Sequence, residues 1–325
     1  MPSDACSTRA ISAAADVLVS DGSSFSVETY FQSREFSAIR HLGESERLVA
    51  VEGPYGWAKV GEKAELGSGF NKLFALGHQF HALLLHFDEI VGATRQGDVH
   101  FGAGLHQATT GDYPYGGSVH LIHGDEESRP MGIVFEFPGD TVISVEFSDW
   151  RAADERWLPY QLSIDDGERT FKYRYTDIDL TARSPLWYFE AVDVPAIDEV
   201  QVYRLHRKLL AAHCLADARM MADLSAPEVL TASRGELRPI SNQSILERFT
   251  ALFEVLNYTG YRDLAPPTIE LSADGSLGWI GASVRAEGTE RASGALFENQ
   301  WAWVMMVRKI DGVWLHAGNA SNLKE

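Results

Sequence analysis

"NQWAWVMMVRKIDGVWLHAGNASN", residues 299 to 322, decides how the C-terminal half is read. Trp301, Trp303 and Met305 alternate with Ala302, Val304 and Met306, so the run has the period-2 spacing of a β-strand with two apolar faces. Asp311-Gly312 is a favoured hairpin pair, which sends a second strand back through Trp314 and His316. One face of such a strand should pack on helices. The other is expected to meet a dimer partner or the N-terminal domain.

Working upstream, "PTIELSADGSLGWIGASVRAEG" (267 to 288) predicts two more strands around an Asp274-Gly275 turn. "SNQSILERFTALFEVL" (241 to 256) predicts a helix. Ser241 or Asn242 suits its N-cap, and Ile245, Phe249, Leu252 and Phe253 share one face. "QVYRLHRKLLAAHCLADARMMADL" (201 to 224) has helical spacing, with Leu205, Leu209, Ala212 and Ala216 on one stripe of a helix that is whole or broken in two. His213 and Asp217 stand i and i+4, so an unbroken helix would present both on one side.

In this order of elements, and in "AAHCLADARMMADL", "PPTIELSADGSLGWIGASV" and "WAWVMMVRKIDGVWLHAGNASN", the chain resembles the NTF2-like superfamily, and within it the SnoaL-like members, over roughly residues 203 to 323. The resemblance implies an α+β cone, a curved antiparallel sheet wrapped around helices with a pocket between them, and commonly a homodimer. It further implies either a binding or assembly module, or an enzyme that transfers protons with an Asp aided by His or Tyr. Asp217 is then the expected general base, with His213 and His316 orienting it or donating a proton. Trp279, Trp301 and Trp303 are the expected pocket walls.

Residues 46 to 192 read as a mostly antiparallel β domain. Residues 1 to 45 are expected to form a separate, partly mobile N-terminal segment, and residues 203 to 325 the cone. In "TVISVEFSDW" Ile143, Val145 and Phe147 share a strand face, and in "LPYQLSIDDGERTFKYRYTDI" Asp166-Gly167 turns one alternating run into another. With "EGPYGWAKVG" these strands are similar to the half-barrel of lipoprotein-carrier proteins and to the lipocalin-like barrel of carotenoid-hydratase-type proteins. Both resemblances imply a β-barrel or half-barrel with a cavity for an apolar molecule.

Seven histidines, among them His78, His81 and His86 in "LFALGHQFHALLLHFDE", fall between residues 78 and 123. Their spacing lacks the H-x-x-x-H form that offers two ligands to one metal, so no metal site is assigned. A strand over residues 78 to 87 would turn His78 and His86 to one face, as ligand-binding groups in the β cavity.

The chain has 325 residues and a formal net charge of −18, which opposes association with nucleic acid or anionic membranes. No stretch reaches the ~18 apolar residues of a membrane span. The N-terminus shows no basic stretch followed by an apolar one, and the two cysteines, Cys6 and Cys214, are expected to remain unbridged. The expectation is a cytoplasmic homodimer that binds a small apolar molecule of polyketide, steroid or terpenoid type. Its enzymatic form would be a cofactor-independent lyase or isomerase. The alternatives are a non-catalytic dimerisation or interaction protein and a metal-dependent enzyme using the N-terminal histidines.

Overall fold

The computed structural model describes residues 7–67, 69–124, 129–139, 141–153, 155–181, 183–185, 195–233 and 235–324. The chain divides into two compact units, one over residues 9–182 and the other chiefly over residues 183–325. A two-stranded pair, β1 (Ser7–Arg9) with β15 (Arg183–Pro185), falls near their boundary in sequence.

The first unit contains β2 (Ile11–Val19), β3 (Ser24–Ser33), β4 (Phe36–Leu42), β5 (Arg47–Glu52), β6 (Tyr55–Val60) and β7 (Lys63–Leu66). Three short helices follow, α1 (Gly69–Gly77), α2 (Phe80–Leu85) and α3 (Phe87–Ile90). A second run comprises β8 (Thr94–Phe101), β9 (Gly104–Asp112), β10 (Ser118–Ile122), β11 (Gly132–Phe137), β12 (Thr141–Ala153), β13 (Arg156–Asp165) and β14 (Thr170–Asp179). Each run is an antiparallel meander, and β14 pairs with β2 to join them into one sheet of thirteen strands. The ends of that sheet, β7 and β8, do not pair with each other, so it is open and not a closed barrel.

The expected N-terminal segment over residues 1 to 45 is corrected for its described part. β2, β3 and β4 lie there, and Ala13, Ala15, Val17 and Val27 are buried in the core. Short alternating runs of small and β-branched residues build these strands. The expected strand over residues 78 to 87 is corrected as well: α2 and α3 occupy it, with Phe80, Ala82, Leu83, Phe87 and Ile90 buried. A run apolar on every side gives no periodicity to separate a buried helix from a buried strand. Leu76, Phe80, Leu83 and Ile90 pack against the inner sheet residues Phe135, Val145, Tyr173 and Tyr175.

The second unit begins with α4 (Asp198–Cys214) and α5 (Ala218–Asp223), followed by β16 (Ser225–Ser233), β17 (Glu236–Ser241) and α6 (Asn242–Val255). It ends with β18 (Leu256–Asp263), β19 (Thr268–Leu271), β20 (Leu277–Glu290), β21 (Leu296–Ile310) and β22 (Val313–Leu323). The strands form one sheet in the order β17-β16-β22-β21-β20-β18, with β19 on β20. This is an α+β unit with its helices packed on one sheet face. Val202, Leu205, Leu209, Ile245 and Phe253 meet Ile280, Val284, Met305 and Val307 there.

The first helix is indeed broken. Ala216 adopts φ 52°, a left-handed conformation that costs an ordinary residue about 1–2 kcal/mol, and Asp217 restarts the helix as the N-cap of α5. At the β21–β22 turn Asp311 (φ 50°) and Gly312 (φ 80°) are both left-handed, as a tight hairpin turn requires. Cys214, at the end of α4, is disulfide-bonded, which corrects the expectation of unbridged cysteines.

Candidate functional site

Strand register decides what faces the interior of the second unit. Trp301, Trp303, Met305 and Val307 of β21 turn inward, opposite Leu323, Ser321, Asn319 and His316 of β22. The phase changes at Ala317: Met306 pairs with Gly318, whereas the next residue, Val307, pairs with His316. This bulge places one extra residue on β22 and turns the His316 ring inward, where an unbroken alternation would have turned it out.

From the helical side α4 contributes Leu209 and His213, and α6 contributes Ile245, Arg248, Phe249 and Leu252, the i, i+3, i+4, i+7 face of one helix. Between helices and sheet lies a cavity of about 320 Å³, further lined by Tyr258, Tyr261, Trp301, Trp303, Met305 and His316. Asn299, Asn319, Ser321, Thr231 and Ser225 add neutral polar groups. No Asp or Glu is among its described lining residues.

His213 stacks on Tyr261 with ring centroids 4.2 Å apart and meets Phe249, Phe253 and Tyr258 edge-on. Its Nδ1 donates to the Leu209 carbonyl at 2.8 Å, which leaves the Nε2 lone pair as an acceptor. Burial among these rings holds its pKa down at about 4, so the ring is neutral at pH 7. His316 sits at about 4 for the same reason. Ser225 Oγ donates to the Met221 carbonyl and so accepts from His316 Nδ1 at 3.3 Å, while His316 Nε2 is buried without a partner. The Trp303 indole N–H is likewise buried and unpartnered. The cavity therefore offers imidazole acceptors and one indole donor against apolar walls.

Of the residues expected from sequence, His213, His316, Trp301 and Trp303 come together here. Asp217 does not. Its Oδ1 accepts from the Met220 N–H at 2.8 Å to cap α5, and the break at Ala216 removes the shared helix face on which its pairing with His213 rested. Trp279 does not either: Ile280, Ala282, Val284 and Ala286 are the buried positions of β20, so Trp279 lies on the opposite sheet face.

His78 and His86 belong to the first unit. His78 Nδ1 donates to the Phe74 carbonyl at 2.8 Å with its ring against Phe74. His86 lies between α2 and α3, with Nδ1 3.3 Å from Glu89. Among the described residues no group of three or more His, Cys, Asp or Glu is placed to hold a metal ion. No described helix is long and apolar enough to cross a membrane.

Sequence reading missed His206 and Asp263. They are fifty-seven residues apart in the chain, yet Nε2 and Oδ1 stand 2.8 Å apart, with Arg207 on the other carboxylate oxygen at 3.2 Å. His206 is fully buried and meets Trp303 edge-on, so this pair pins the tryptophan wall from behind. No local spacing announces it. Tyr258 and Tyr261 were missed as well: three residues apart, they fall on one face of β18 only through the register shift between Tyr258 and Gly260.

No protein-family model matches the chain, and no curated protein matches it. Solved structures do. An NTF2-like superfamily protein from Salmonella enterica is similar at 15% identity over 38% of this chain and 87% of its own, with a TM-score of 0.34. A ketosteroid isomerase-like protein from Erwinia carotovora is similar at 13% identity over 38% of this chain and 95% of its own, with a TM-score of 0.33. A LolA-superfamily protein from Nitrosomonas europaea is similar at 11% identity over 54% of this chain and 86% of its own, with a TM-score of 0.40. NTF2-like and LolA-superfamily proteins are thus among the solved structures similar to parts of this chain.

Two outcomes follow from this geometry. Asp217→Ala removes a helix cap and should lower stability by about 1 kcal/mol in urea denaturation, without weakening binding of a probe in the cavity. The imidazoles should also make stability pH-dependent. Their folded pKa values, about 4, lie below the ordinary 6.5, so stability is full above pH 6.5 and falls as the unfolded chain takes up protons between 6.5 and 4. At pH 5 each such ring should cost about 2 kcal/mol, and His213→Phe should remove its share of the fall in urea midpoint between pH 7 and 5.

Proposed function

We propose that the second unit binds a small, largely apolar molecule of polyketide, steroid or terpenoid type in this cavity. The observation that carries the reading is the combination of aromatic walls, two neutral imidazoles and no carboxylate among the described lining residues. An apolar pocket with a few convergent polar groups is the usual form of a small-molecule site. Proton transfer at neutral pH needs a group whose pKa lies near 7. His213 and His316, near 4, are weak bases that suit accepting a hydrogen bond from a ligand hydroxyl. Binding is therefore favoured over isomerase or lyase chemistry. The disulfide at Cys214 favours an oxidising compartment over the cytoplasm.

Calorimetric titration of the full chain with the neutral bicyclic 2-naphthamide is expected to show one site. Leu252→Trp, which fills the cavity from α6, should weaken it at least tenfold. The absence of binding to the wild type would refute this reading.

A second copy of the chain is the partner we assign to the other sheet face. There Val304 and Met306 are 49% and 43% exposed beside Leu230 and Leu237, an apolar stretch left open to water. Sedimentation should give a dimer for the wild type and a monomer for Val304→Glu/Met306→Glu; a monomeric wild type would end this assignment.

A further inference from the structure

Arg248 is the one Lys or Arg among the described residues lining the cavity. It is exposed, so it stands where the cavity opens to solvent, on the same face of α6 as Ile245, Phe249 and Leu252. Its helix gives it no acidic neighbour: positions i±3 and i±4 are Ile245, Ala251, Ser244 and Leu252. Glu247 lies next to it in sequence but accepts from Gln243 one turn back. Among the described residues Arg248 makes no ion pair. Five other arginines of the unit are engaged by carboxylates: Arg207 with Asp263, Arg219 with Asp223, Arg238 with Glu236, Arg262 with Glu287 and Arg285 with Glu298. Arg291, which donates to the Phe253 carbonyl, and Arg308 likewise make no ion pair among the described residues, so what sets Arg248 apart is its place in the lining of an apolar cavity.

We propose that the ligand is an amphipathic monocarboxylic acid whose apolar body fills the cavity and whose carboxylate pairs with Arg248 at its mouth. This rests on the binding role proposed above and specifies its ligand class. Guanidinium and carboxylate match in a bidentate fork, and the pairing costs little desolvation because Arg248 stays in contact with water. With no carboxylate among the described lining residues, nothing there repels an incoming anion. The neutral His213 and His316 accept from a hydroxyl farther along the body, and the Trp303 N–H donates to a carbonyl. The acid group is therefore selected at the rim and the body by the interior. A second anionic group would meet only neutral partners inside, which disfavours dianions.

The test is calorimetric titration of the full chain with 2-naphthoate and with 2-naphthamide, which share a ring system and differ in charge. The wild type should bind naphthoate about tenfold more tightly, and added salt should erode that preference while leaving naphthamide unchanged. Arg248→Gln should abolish the preference by weakening naphthoate alone, and Arg248→Lys should keep part of it. As an exposed position on α6, Arg248 tolerates both substitutions, and an unchanged naphthamide affinity reports an intact cavity. Equal affinity of the wild type for both probes, or a preference that survives Arg248→Gln, would overturn the acid assignment and leave the binding role standing. If neither probe binds the wild type, both readings fall.

Discussion

Everything at the candidate site depends on the phase of one long hairpin. β21 and β22 run antiparallel from the Asp311-Gly312 turn, and because side chains alternate, the turn decides which of the tryptophans, methionines and valines meet the helices. A slip of one residue would put Trp301, Trp303 and Met305 in water and Val304 and Met306 against α4. The bulge at Ala317 then adjusts the phase on one strand only, so His316 joins the inner set while Gly318 stays in the outer one. The His206–Asp263 pair fixes the remaining freedom by holding a hydrogen-bonded support behind Trp303.

The inner surface that results is chemically quiet. Its imidazoles are ringed by phenyl and phenol groups, and low dielectric disfavours their protonated forms more than any partner favours them. One carboxylate beside either ring would reverse this, as opposite charge raises an imidazole toward neutrality and above. The carboxylate that sequence spacing offered, Asp217, is spent on the first turn of α5, where the break after Cys214 leaves backbone N–H groups to be satisfied. The helix break and the lack of an acid–base pair among the described lining residues are thus one fact seen twice.

Much of the second unit was legible. Period-2 alternation placed Trp301 and Trp303, the Asp-Gly pairs marked turns, and Ser241 marked the start of α6, where its hydroxyl accepts from the Ser244 N–H. What failed were features that depend on a single backbone angle or on distance in the chain. Ala216 at positive φ carries no compositional mark. Trp279 and Trp303 have the same side chain, and only the phases of β20 and β21 separate outer from inner. His206 and Asp263 meet through the fold alone. In the first unit, Phe80 to Leu85 is apolar in all but His81, so its periodicity was silent and the neighbouring histidines were given a strand's geometry.

The open sheet of the first unit leaves two edges, and each edge strand presents a row of backbone donors and acceptors that another chain could pair with. The edges are defended differently. β7 is four residues long and places Lys63 and Glu65 along its length, too short and too charged to template a neighbour. β8 is twice that length, and its protection is Gly97, Arg95 and Asp98, which break any flat apolar run. The two outermost strands of the thirteen-stranded sheet thus carry side chains that disfavour edge-to-edge pairing. Replacing those few side chains with β-branched ones would turn a folded sheet's rim into an aggregation seed.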